Sequence, residues 1–380
     1  MLLLIKLVIV ELRLIALDTI TLLMLTTLIK KFTQFNLPLL LLVYFSGTVL
    51  ADQQASWQRI DIDKEASLRG SAVSESSLWV SGSNNTVFVS QNGGETWLDR
   101  SVSVNGKDEQ KIDFRDIALF NENTAIVMGA GENKKSVLYK TSDVGKTWQL
   151  LNQNTDVKGF YDSIAFWNEQ KGLLLGDPVD GFYVIKKTEN GGKSWRRIAR
   201  IKLPTILTNE AAFSASGNTL ITGEKGQAWL TTGGFSASVY YSADFGESWQ
   251  RQLVPIFQKT STAGGYGLAL NRKQQVFVLG GDYQQRLSHY SNIATYVAKR
   301  WQQVDAGNRG LRTAMSCIDV ICIATGKTSS DISYDDGRTW RKFDDTAANE
   351  GNRSFYTLAH GKNIFLAAGS NGKVAIYKVK

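Results

Sequence analysis

An eight-residue unit recurs five times along this chain of 380 residues. Each copy places Asn or Asp two positions before a glycine and ends in tryptophan. The copies are SQNGGETW (from Ser90), TSDVGKTW (from Thr141), TENGGKSW (from Thr188), SADFGESW (from Ser242) and SYDDGRTW (from Ser333). The closing tryptophans recur about every 50 residues, apart from one double interval that Trp301 divides. A period in this range is typical of solenoids, propellers and other repeat arrays.

Each period predicts four short strands separated by turn residues. The second repeat, for example, reads FRDIALF, TAIVMGAG, VLYKTSD and TWQLL. The last repeat stops after three strands, whereas WQRIDID, from Trp57, is a fourth strand without predecessors. Pairing these two ends closes a ring and removes the exposed sheet edges. We therefore predict an all-β, seven-bladed β-propeller of four-stranded antiparallel blades, with the N-terminal strand completing the C-terminal blade.

The repeated unit itself falls between the third and fourth strands of a blade. Short Asn and Asp side chains accept backbone hydrogen bonds at turns, glycine permits positive φ, and an indole packs well between sheets. Asn replaces Asp in two copies, which a catalytic acid or calcium ligand would not tolerate. We interpret the unit as structural. The residues assigned this role are Asn92, Asp143, Asn190, Asp244, Asp335, Trp97, Trp148, Trp195, Trp249 and Trp340.

The eight-residue units are similar to the Asp-box, or bacterial neuraminidase repeat. The longer repeats LRGSAVSESSLWVSGSNNTVFVSQNGGETW (from Leu68) and YDSIAFWNEQKGLLLGDPVDGFYVIKKTENGGKSW (from Tyr161) resemble the photosystem II stability/assembly factor family. Exported bacterial relatives of that family are often labelled oxidoreductase-like or glycosyl hydrolase-like. The resemblance extends over roughly residues 55–380 and implies a propeller that serves as a binding or assembly platform. It does not imply a photosynthetic organism.

Residues 1–51 have the pattern of a secretory signal. Lys30 and Lys31 precede a short apolar run, and small residues lead to a predicted cleavage after Ala51. The mature chain would then be one propeller over residues 52–380, in the bacterial periplasm. The alternative is a retained hydrophobic segment that anchors the protein in the membrane, facing the periplasm. The true start could also be Met24.

The two cysteines, Cys317 and Cys322, lie on either side of a predicted tight turn. In an oxidising compartment they could form a hairpin disulfide, and two buried free thiols are the alternative. Their spacing is not that of a zinc or thioredoxin site. The only histidines, His289 and His360, lack partner motifs, so we expect no metal or other cofactor.

The formal net charge of +8 favours acidic partners in general. Since no run of Lys and Arg forms a basic patch, we expect no nucleic acid among the partners. A membrane contact is expected only through the N-terminal segment, if it is uncleaved. We expect a monomer that binds a protein, and a glycan remains the other candidate ligand.

A binding site is predicted at the channel mouth opposite the repeated units, and the alternative is that the charges there pair around a solvated channel without binding a partner. That mouth collects the starts of the innermost strands and the ends of the second strands. Arginine forks and tyrosines are typical of polar recognition surfaces. The candidate residues are Arg69, Arg115, Asp116, Tyr161, Asp162, Asp177, Asp180, Glu210, Tyr266, Arg312 and Tyr356. Glu210 is predicted to begin the innermost strand of blade four.

An enzyme is the second hypothesis, and it would be a glycoside hydrolase. A sialidase needs three arginines, a tyrosine with a glutamate, and an aspartate. Arg69, Arg115, Arg312, Tyr266, Glu210 and Asp116 supply these residue types. The Arg-Ile-Pro signature of sialidases is absent, however, and no dinucleotide-binding glycine motif lies between a strand and a helix. We therefore predict a non-enzymatic, exported scaffold, with a glycan-active or glycan-binding propeller as the alternative.

Overall fold

The computed structural model of the chain describes residues 56–62, 65–103, 111–156, 159–214, 216–288, 292–306, 310–343 and 354–379. Their regular structure is almost wholly β, since the helical pieces are four 3-10 turns of three residues. In these ranges no helix has the length or the apolar character to cross a bilayer. The predicted signal segment, with Met24 and the cleavage site after Ala51, lies outside the described residues, as does His289.

The first strand, β1 (Gln58–Asp61), precedes three regular blades, in each of which four consecutive strands form one antiparallel sheet. Blade one comprises β2 (Leu68–Ser74), β3 (Ser77–Gly82), β4 (Val87–Ser90) and β5 (Leu98–Asp99). Blade two comprises β6 (Asp113–Leu119), β7 (Ala125–Ala130), β8 (Val137–Thr141) and β9 (Gln149–Gln153). Blade three comprises β10 (Tyr161–Phe166), β11 (Gly172–Val179), β12 (Phe182–Thr188) and β13 (Arg196–Arg197).

Blades four and five share an irregular region of the ring. In chain order the next strands are β14 (Glu210–Ala211), β15 (Leu220–Thr222), β16 (Ala228–Thr231), β17 (Gly233–Gly234), β18 (Ser238–Ser242), β19 (Gln250–Leu253), β20 (Ala263–Leu270), β21 (Val276–Asp282), β22 (Ile293–Val297) and β23 (Arg300–Val304). Blade four is the sheet β15-β16-β18-β19, and blade five contains β20 to β23. The short strands β14 and β17 extend the sheet of blade five beyond its innermost strand, β20.

The ring closes as the sequence predicted. Blade six comprises β24 (Arg312–Ile318), β25 (Ile321–Gly326), β26 (Ser330–Ser333) and β27 (Arg341–Phe343). Blade seven comprises β28 (Phe355–His360), β29 (Ile364–Gly369), β30 (Lys373–Lys378) and the N-terminal strand β1. β1 pairs antiparallel with β30, from Gln58 opposite Ile376 to Asp61 opposite Lys373. The predicted seven-bladed, four-stranded propeller is therefore confirmed.

The apolar core lies between the blades. Seven buried clusters each combine side chains from two neighbouring sheets, one cluster for every junction of the ring. At the closing junction the Trp57 ring meets Phe343 edge to face, with ring centroids 5.0 Å apart. Because burying one large apolar side chain contributes roughly 1.5–3 kcal/mol, these junctions are the main source of stability in the ring.

The Asp-box turns are held by hydrogen bonds that begin and end within the unit. Asp143 Oδ1 accepts from Thr141 Oγ1 at 2.8 Å and from the Thr147 amide at 2.9 Å. Its Oδ2 accepts from the Thr147 hydroxyl at 2.6 Å. Gly145, which donates its N–H to Thr141 Oγ1, has φ of 73°. The first residue of the unit, Ser or Thr, is a member of this network that the sequence analysis did not single out.

Asn serves in the same turn because the hydroxyl partner reverses its role. Asn92 Oδ1 accepts from the Thr96 amide at 3.0 Å, as Asp143 does from Thr147. The Asn92 amide Nδ2 then donates to Thr96 Oγ1 at 2.9 Å, where the Asp-containing copies accept from that hydroxyl. The exchange of Asn and Asp thus preserves the number of hydrogen bonds in the turn.

The box tryptophans lie at the blade junctions. Trp148 meets Trp79 of the preceding blade edge to face, with ring centroids 6.4 Å apart. Its indole N–H donates to the Arg100 carbonyl at 2.7 Å. Blade five has no Asp-box, and its β22–β23 hairpin instead turns through Ala298 and Lys299, both at positive φ. In blade six Cys317 and Cys322 face each other across β24 and β25 and are joined by a disulfide.

Candidate functional site

A β-bulge recurs near the start of the innermost strand in six described blades. In each, one residue is inserted into the pairing between the innermost and second strands. Such bulges bend the strand and redirect a side chain. The bulged residues are Arg69, Arg115, Asp162, Tyr266, Thr313 and Tyr356. Five of them are among the residues predicted from the sequence for this mouth.

A short segment between β14 and β15 crosses the channel at the level of these bulges. This channel segment comprises residues 213–214 and 216–219. Phe213 stacks on Tyr266 of blade five, with centroids 4.6 Å apart. Arg115 of blade two donates to the Ser214 carbonyl at 2.6 Å, and Ser163 of blade three donates to the Gly217 carbonyl at 2.7 Å.

The far side of the ring is reached by Asn218. Its amide Nδ2 donates to the Thr313 carbonyl of blade six and to the Tyr356 carbonyl of blade seven, at 3.1 Å each. Contacts with the innermost strands of five blades can be made together only inside the channel. The bulged residues differ in exposure. Asp162, Tyr266 and Thr313 are buried, whereas the side chains of the remaining three residues, Arg69, Arg115 and Tyr356, are partly exposed.

The three partly exposed bulged residues lie in blades seven, one and two, and they form one group with Asp113 of blade two and Lys327 of blade six. We call this group the arginine cluster: Arg69, Arg115, Tyr356, Asp113 and Lys327. Arg115 Nε donates to Asp113 Oδ2 at 2.9 Å, and Arg69 Nε lies 3.7 Å from the same oxygen. The side chains of Arg69, Arg115 and Asp113 are only 21–24% exposed. Asp113 was not predicted, although it lies on the same strand as Arg115, two residues earlier.

Tyr356 is enclosed by cations. The Lys327 Nζ lies 3.9 Å from its ring centroid and the Arg69 guanidinium carbon 4.5 Å from it. Burial acts to raise the pKa of Tyr356, but the hydrogen bond from Lys327 and the positive charges of Lys327 and Arg69 outweigh it, so the pKa is lowered. The cluster therefore has an electropositive surface that favours negatively charged groups.

A second group, which we call the acid corner, lies on blade three and consists of Asp162, Asp177 and Tyr183. Asp162 and Tyr183 are each 1% exposed, whereas Asp177 is half-buried. Burial raises the pKa of Asp162 well above its ordinary value, the charge of Asp177 adds to this, and Arg115 opposes it. Burial also raises the pKa of Asp177. Tyr183 was not predicted, because nothing in its local sequence distinguishes it from a core tyrosine.

Glu210 does not begin the innermost strand of blade four, which is β15. It lies in β14, where Oε2 accepts from the Leu207 amide at 2.7 Å and from the Tyr240 hydroxyl at 3.0 Å. Its other oxygen accepts from the Thr232 hydroxyl. The sequence prediction was wrong here because the chain inserts β14 and the channel segment before a three-residue innermost strand.

Arg312 also departs from its predicted place at the mouth. It precedes the bulge of its strand, at the position that Leu68, Phe114 and Phe355 occupy in other blades, so its side chain points into the blade. It is 1% exposed and donates to Asp331 Oδ2 from Nε at 2.8 Å and from Nη2 at 2.6 Å. Arg312 is thus part of a buried ion pair.

Asp116 is buried as well, between blades two and three. Its Oδ2 accepts from the Ser163 hydroxyl at 3.0 Å and from the Ile164 amide at 2.8 Å, and its Oδ1 accepts from the Ile117 amide. Burial raises the pKa of Asp116 to about 7, although these hydrogen bonds act to lower it. A methyl group on Gly217 would overlap the Asp116 carboxyl, so this close approach requires glycine.

The remaining predicted residues have separate partners. Tyr161 is buried and donates its hydroxyl to Asn152 Oδ1 at 2.8 Å. Tyr266 is buried and donates to the Thr262 carbonyl at 2.6 Å. Asp180 is exposed at the β11–β12 turn, where its Oδ2 lies 2.5 Å from Arg200 Nη2.

The residue types that a sialidase would use therefore do not converge. Arg312 lies inside a blade, Glu210 accepts three hydrogen bonds, and Tyr266 is committed to a backbone carbonyl. Over the described ranges no three His, Cys, Asp or Glu side chains are grouped to hold a metal ion. The arrangement places an electropositive surface close to two buried or half-buried carboxyl groups.

The fold and its boxes define a seven-bladed Asp-box β-propeller. Residues 49–198 match the family described as photosynthesis system II assembly factor YCF48, and residues 240–251 match the BNR/Asp-box repeat. The predicted resemblance to this assembly-factor family is thereby confirmed. A comparison with curated protein sequences finds no match.

Solved structures show the same architecture. The structure of "YCF48 bound to D1 peptide" has a TM-score of 0.63 at 14% identity, over 86% of this chain and 98% of that one. YCF48 from Cyanidioschyzon merolae has a TM-score of 0.62 at 18% identity, over 85% and 99%. The GH74 enzyme of Niastella koreensis has a TM-score of 0.57 at 12% identity, over 84% and 53%. At these identities the likeness shows the fold alone.

Proposed function

We propose that this propeller is an exported, non-enzymatic scaffold that binds an acidic segment of another protein at the mouth opposite the Asp-box turns. The observation that carries the proposal is the arginine cluster. It brings Arg69 of blade one and Arg115 of blade two to a single carboxylate, Asp113. It also brings Arg69 and Lys327, which is in blade six, to the ring of Tyr356 in blade seven. Guanidinium groups in this setting bind carboxylates with two directed hydrogen bonds.

The channel segment supports a surface mode of binding. Because it fills the channel beside the arginine cluster, a partner would lie across the mouth rather than enter the ring. The structural relative solved with a D1 peptide supports a peptide as the ligand class. The family resemblance supports a role in the assembly of a larger complex.

Export is the second part of the proposal. It rests on the basic, apolar and small-residue pattern that ends at Ala51. The periplasm is the compartment that fits this pattern, with a membrane-anchored form as the alternative. Fractionation of cells, together with N-terminal sequencing of the recovered protein, tests it. Recovery of the full-length chain from the cytoplasm would contradict it.

The binding site is tested with a double variant, Arg69→Ala with Arg115→Ala, titrated with acidic peptides by fluorescence anisotropy. We expect affinity to fall by about tenfold or more, because carboxylate–guanidinium hydrogen bonds are among the strongest at interfaces. Arg338→Ala is the matched control, since Arg338 is exposed on the box turn of blade six. Equal affinity for the double variant and the control would refute the site.

A further inference from the structure

The acid corner is assembled by two bulges on adjacent strands. In β10 the pairing passes from Tyr161 to Ser163, so Asp162 is inserted between them. In β11 the pairing with β12 passes from Gly176 to Val179, which leaves Asp177 outside the ladder at the same level. In β12 the pairing partner of Gly176 is Val184 and that of Val179 is Phe182, and Tyr183 lies between these two partners. Three adjacent strands thus each bring one polar side chain to one corner of the blade.

Two buried polar atoms at this corner lack a hydrogen-bond partner among the described residues: Asp162 Oδ2 and the Tyr183 hydroxyl. Buried polar atoms in folded proteins are nearly always satisfied, and one left without a partner costs stability. Two such atoms, on β10 and β12 of the same sheet and each on a residue 1% exposed, make this corner a candidate site for a polar group.

The ligand that the charges of the acid corner favour is a hydrogen-bond donor with positive charge. Asp162 and Asp177 are close enough for the charge of one to act on the other. Among neighbouring groups, Glu210 and Tyr240 act most strongly on the Tyr183 phenol, and Asp162 and Asp177 also act on it. The neighbouring cation, Arg115, directs its Nε to Asp113 and its Nη1 to Ser214. These two contacts of Arg115 are thus made outside the acid corner.

We propose that the acid corner binds a protonated primary amine, which enters past the half-buried Asp177. An ammonium group carries three donors on a compact charge, and it meets three acceptors here: the Asp162 and Asp177 carboxylates and the Tyr183 hydroxyl oxygen. No third His, Cys, Asp or Glu side chain completes a metal site around these residues in the described chain. The acid corner shares no residue with the arginine cluster, and the charge of Arg115 is the link between them. The proposal does not depend on the proposed function.

Binding is accompanied by loss of a proton. In the free protein burial raises the pKa of Asp162 well above its ordinary value, and the charge of Asp177 adds to this. An ammonium group stabilises the carboxylate, so the carboxyl proton leaves for solvent while the amine keeps its own. Calorimetry in two buffers of different ionisation enthalpy measures that release directly.

The test is a calorimetric titration of the purified protein with n-butylammonium at neutral pH. We expect saturable binding with proton release, and no binding of the neutral analogue n-butanol. Asp162→Asn should lower the affinity about tenfold or more, since it removes a buried charge partner. Tyr183→Phe should lower it about three- to tenfold without loss of stability, because the hydroxyl it removes has no protein partner.

Asp319→Asn is the control, because Asp319 is an exposed carboxylate in the β24–β25 turn. It should bind n-butylammonium as the unaltered protein does. A capped Gly-Lys-Gly peptide distinguishes the source of the amine: binding of this peptide extends the site to lysine side chains, and binding of n-butylammonium alone restricts it to free amines.

Three results would overturn the proposal: no heat of binding in the unaltered protein, equal affinity in the Asp162→Asn variant, or a crystal soaked in n-butylammonium with only water at the corner. The outcome is independent of the arginine cluster. Asp162→Asn should leave acidic-peptide affinity intact, and the Arg69→Ala, Arg115→Ala double variant should still bind the amine.

Discussion

The side-chain amide of Asn218 donates a 3.1 Å hydrogen bond to the backbone carbonyl of Tyr356, 138 residues further along the chain. Through this contact the channel segment joins the innermost strand of the last blade, and through the Thr313 carbonyl it joins that of blade six. The arginine cluster is therefore built on one side against a segment that belongs to blade four. The shape of the candidate mouth depends on that segment remaining in the channel.

Removing the Asn218 amide tests this dependence. Asn218→Ala leaves the Thr313 and Tyr356 carbonyls without their donor, so we expect the free energy of unfolding to fall by about 1–3 kcal/mol. Urea denaturation measures it. Asn218→Asp, which has a similar shape but no donor, should be at least as destabilised. Unchanged stability in both variants would show that the segment does not hold the ring together.

The Arg312–Asp331 pair should be a stability element with no role in binding. Arg312→Ala leaves the Asp331 carboxylate buried without this partner, which costs about 3–5 kcal/mol. The double replacement Arg312→Met with Asp331→Leu should recover most of the loss, because buried ion pairs are often replaced by apolar residues at little cost. Denaturation curves give the energies. If the double variant folds but no longer binds acidic peptides, Arg312 has a role in binding and the prediction is wrong.

The Asp-box turn should accept an amide but not a methyl group at its central position. Asp143→Asn restores the arrangement seen at Asn92, with Nδ2 donating to the hydroxyl, so we expect a melting temperature close to that of the unaltered protein. Asp143→Ala removes both carboxylate oxygens that accept the hydrogen bonds of the turn, so it should lower the melting temperature. Peptide affinity should be unchanged in both. Equal melting temperatures for the two variants would contradict the hydrogen-bond account.

Stability should fall as the pH rises from about 4 to 7. Burial raises the pKa of Asp116 from 3.8 to about 7, so the folded protein keeps a proton that the unfolded chain releases. The stabilisation is complete below pH 3.8 and is lost as the pH rises through 7; its full size is on the order of 4 kcal/mol. Urea denaturation as a function of pH measures the slope.

Asp116→Asn should reduce that slope and leave the part that comes from the raised pKa values of Asp162 and Asp177, whereas Asp319→Asn should keep the whole slope. The slopes are the quantity to compare, since the amide offers one acceptor fewer to the Ser163, Ile164 and Ile117 donors and is less stable at every pH. The Asp-box carboxylates act in the opposite direction and at lower pH. The pKa of Asp143 is lowered to about 2 by hydrogen bonds from Thr147 and Thr141, so its contribution is lost as the pH falls from about 4 to 2.

The sequence predicted features whose interactions are local or repeated. The box turn could be recognised because Asp143 bonds to residues no more than four positions away, and the blade count followed from recurrence of that turn. Closure of the ring was predicted because the last repeat has three strands and the strand that begins near Trp57 has no preceding strands to pair with. The bulges placed Arg69, Arg115 and Tyr356 as predicted because the repeat has the same phase in those blades.

The errors arise where the repeat changes phase. In blade six the arginine stands one position before the bulge, so a residue that looked like a mouth arginine is a core residue. In blade four an insertion carries its own two-residue strand, β14, and displaces the innermost strand by about ten residues. Asn218 could not be found from the sequence, because its partners are 95 and 138 residues away and are backbone atoms that carry no side-chain signal.

The pairing of β1 with β30 has a consequence for how the chain reaches its folded state. The strand that completes blade seven, β1, is synthesised before blade one, and its partner, β30 (Lys373–Lys378), is synthesised after blade six. The strand β1 therefore remains without its partner until β30 has been synthesised, and strand pairing across so long a loop is slow. Until β1 pairs, the outer edge of β30 is open and Phe343 lacks its contact with Trp57, which leaves an aromatic surface available to any chaperone that binds such surfaces.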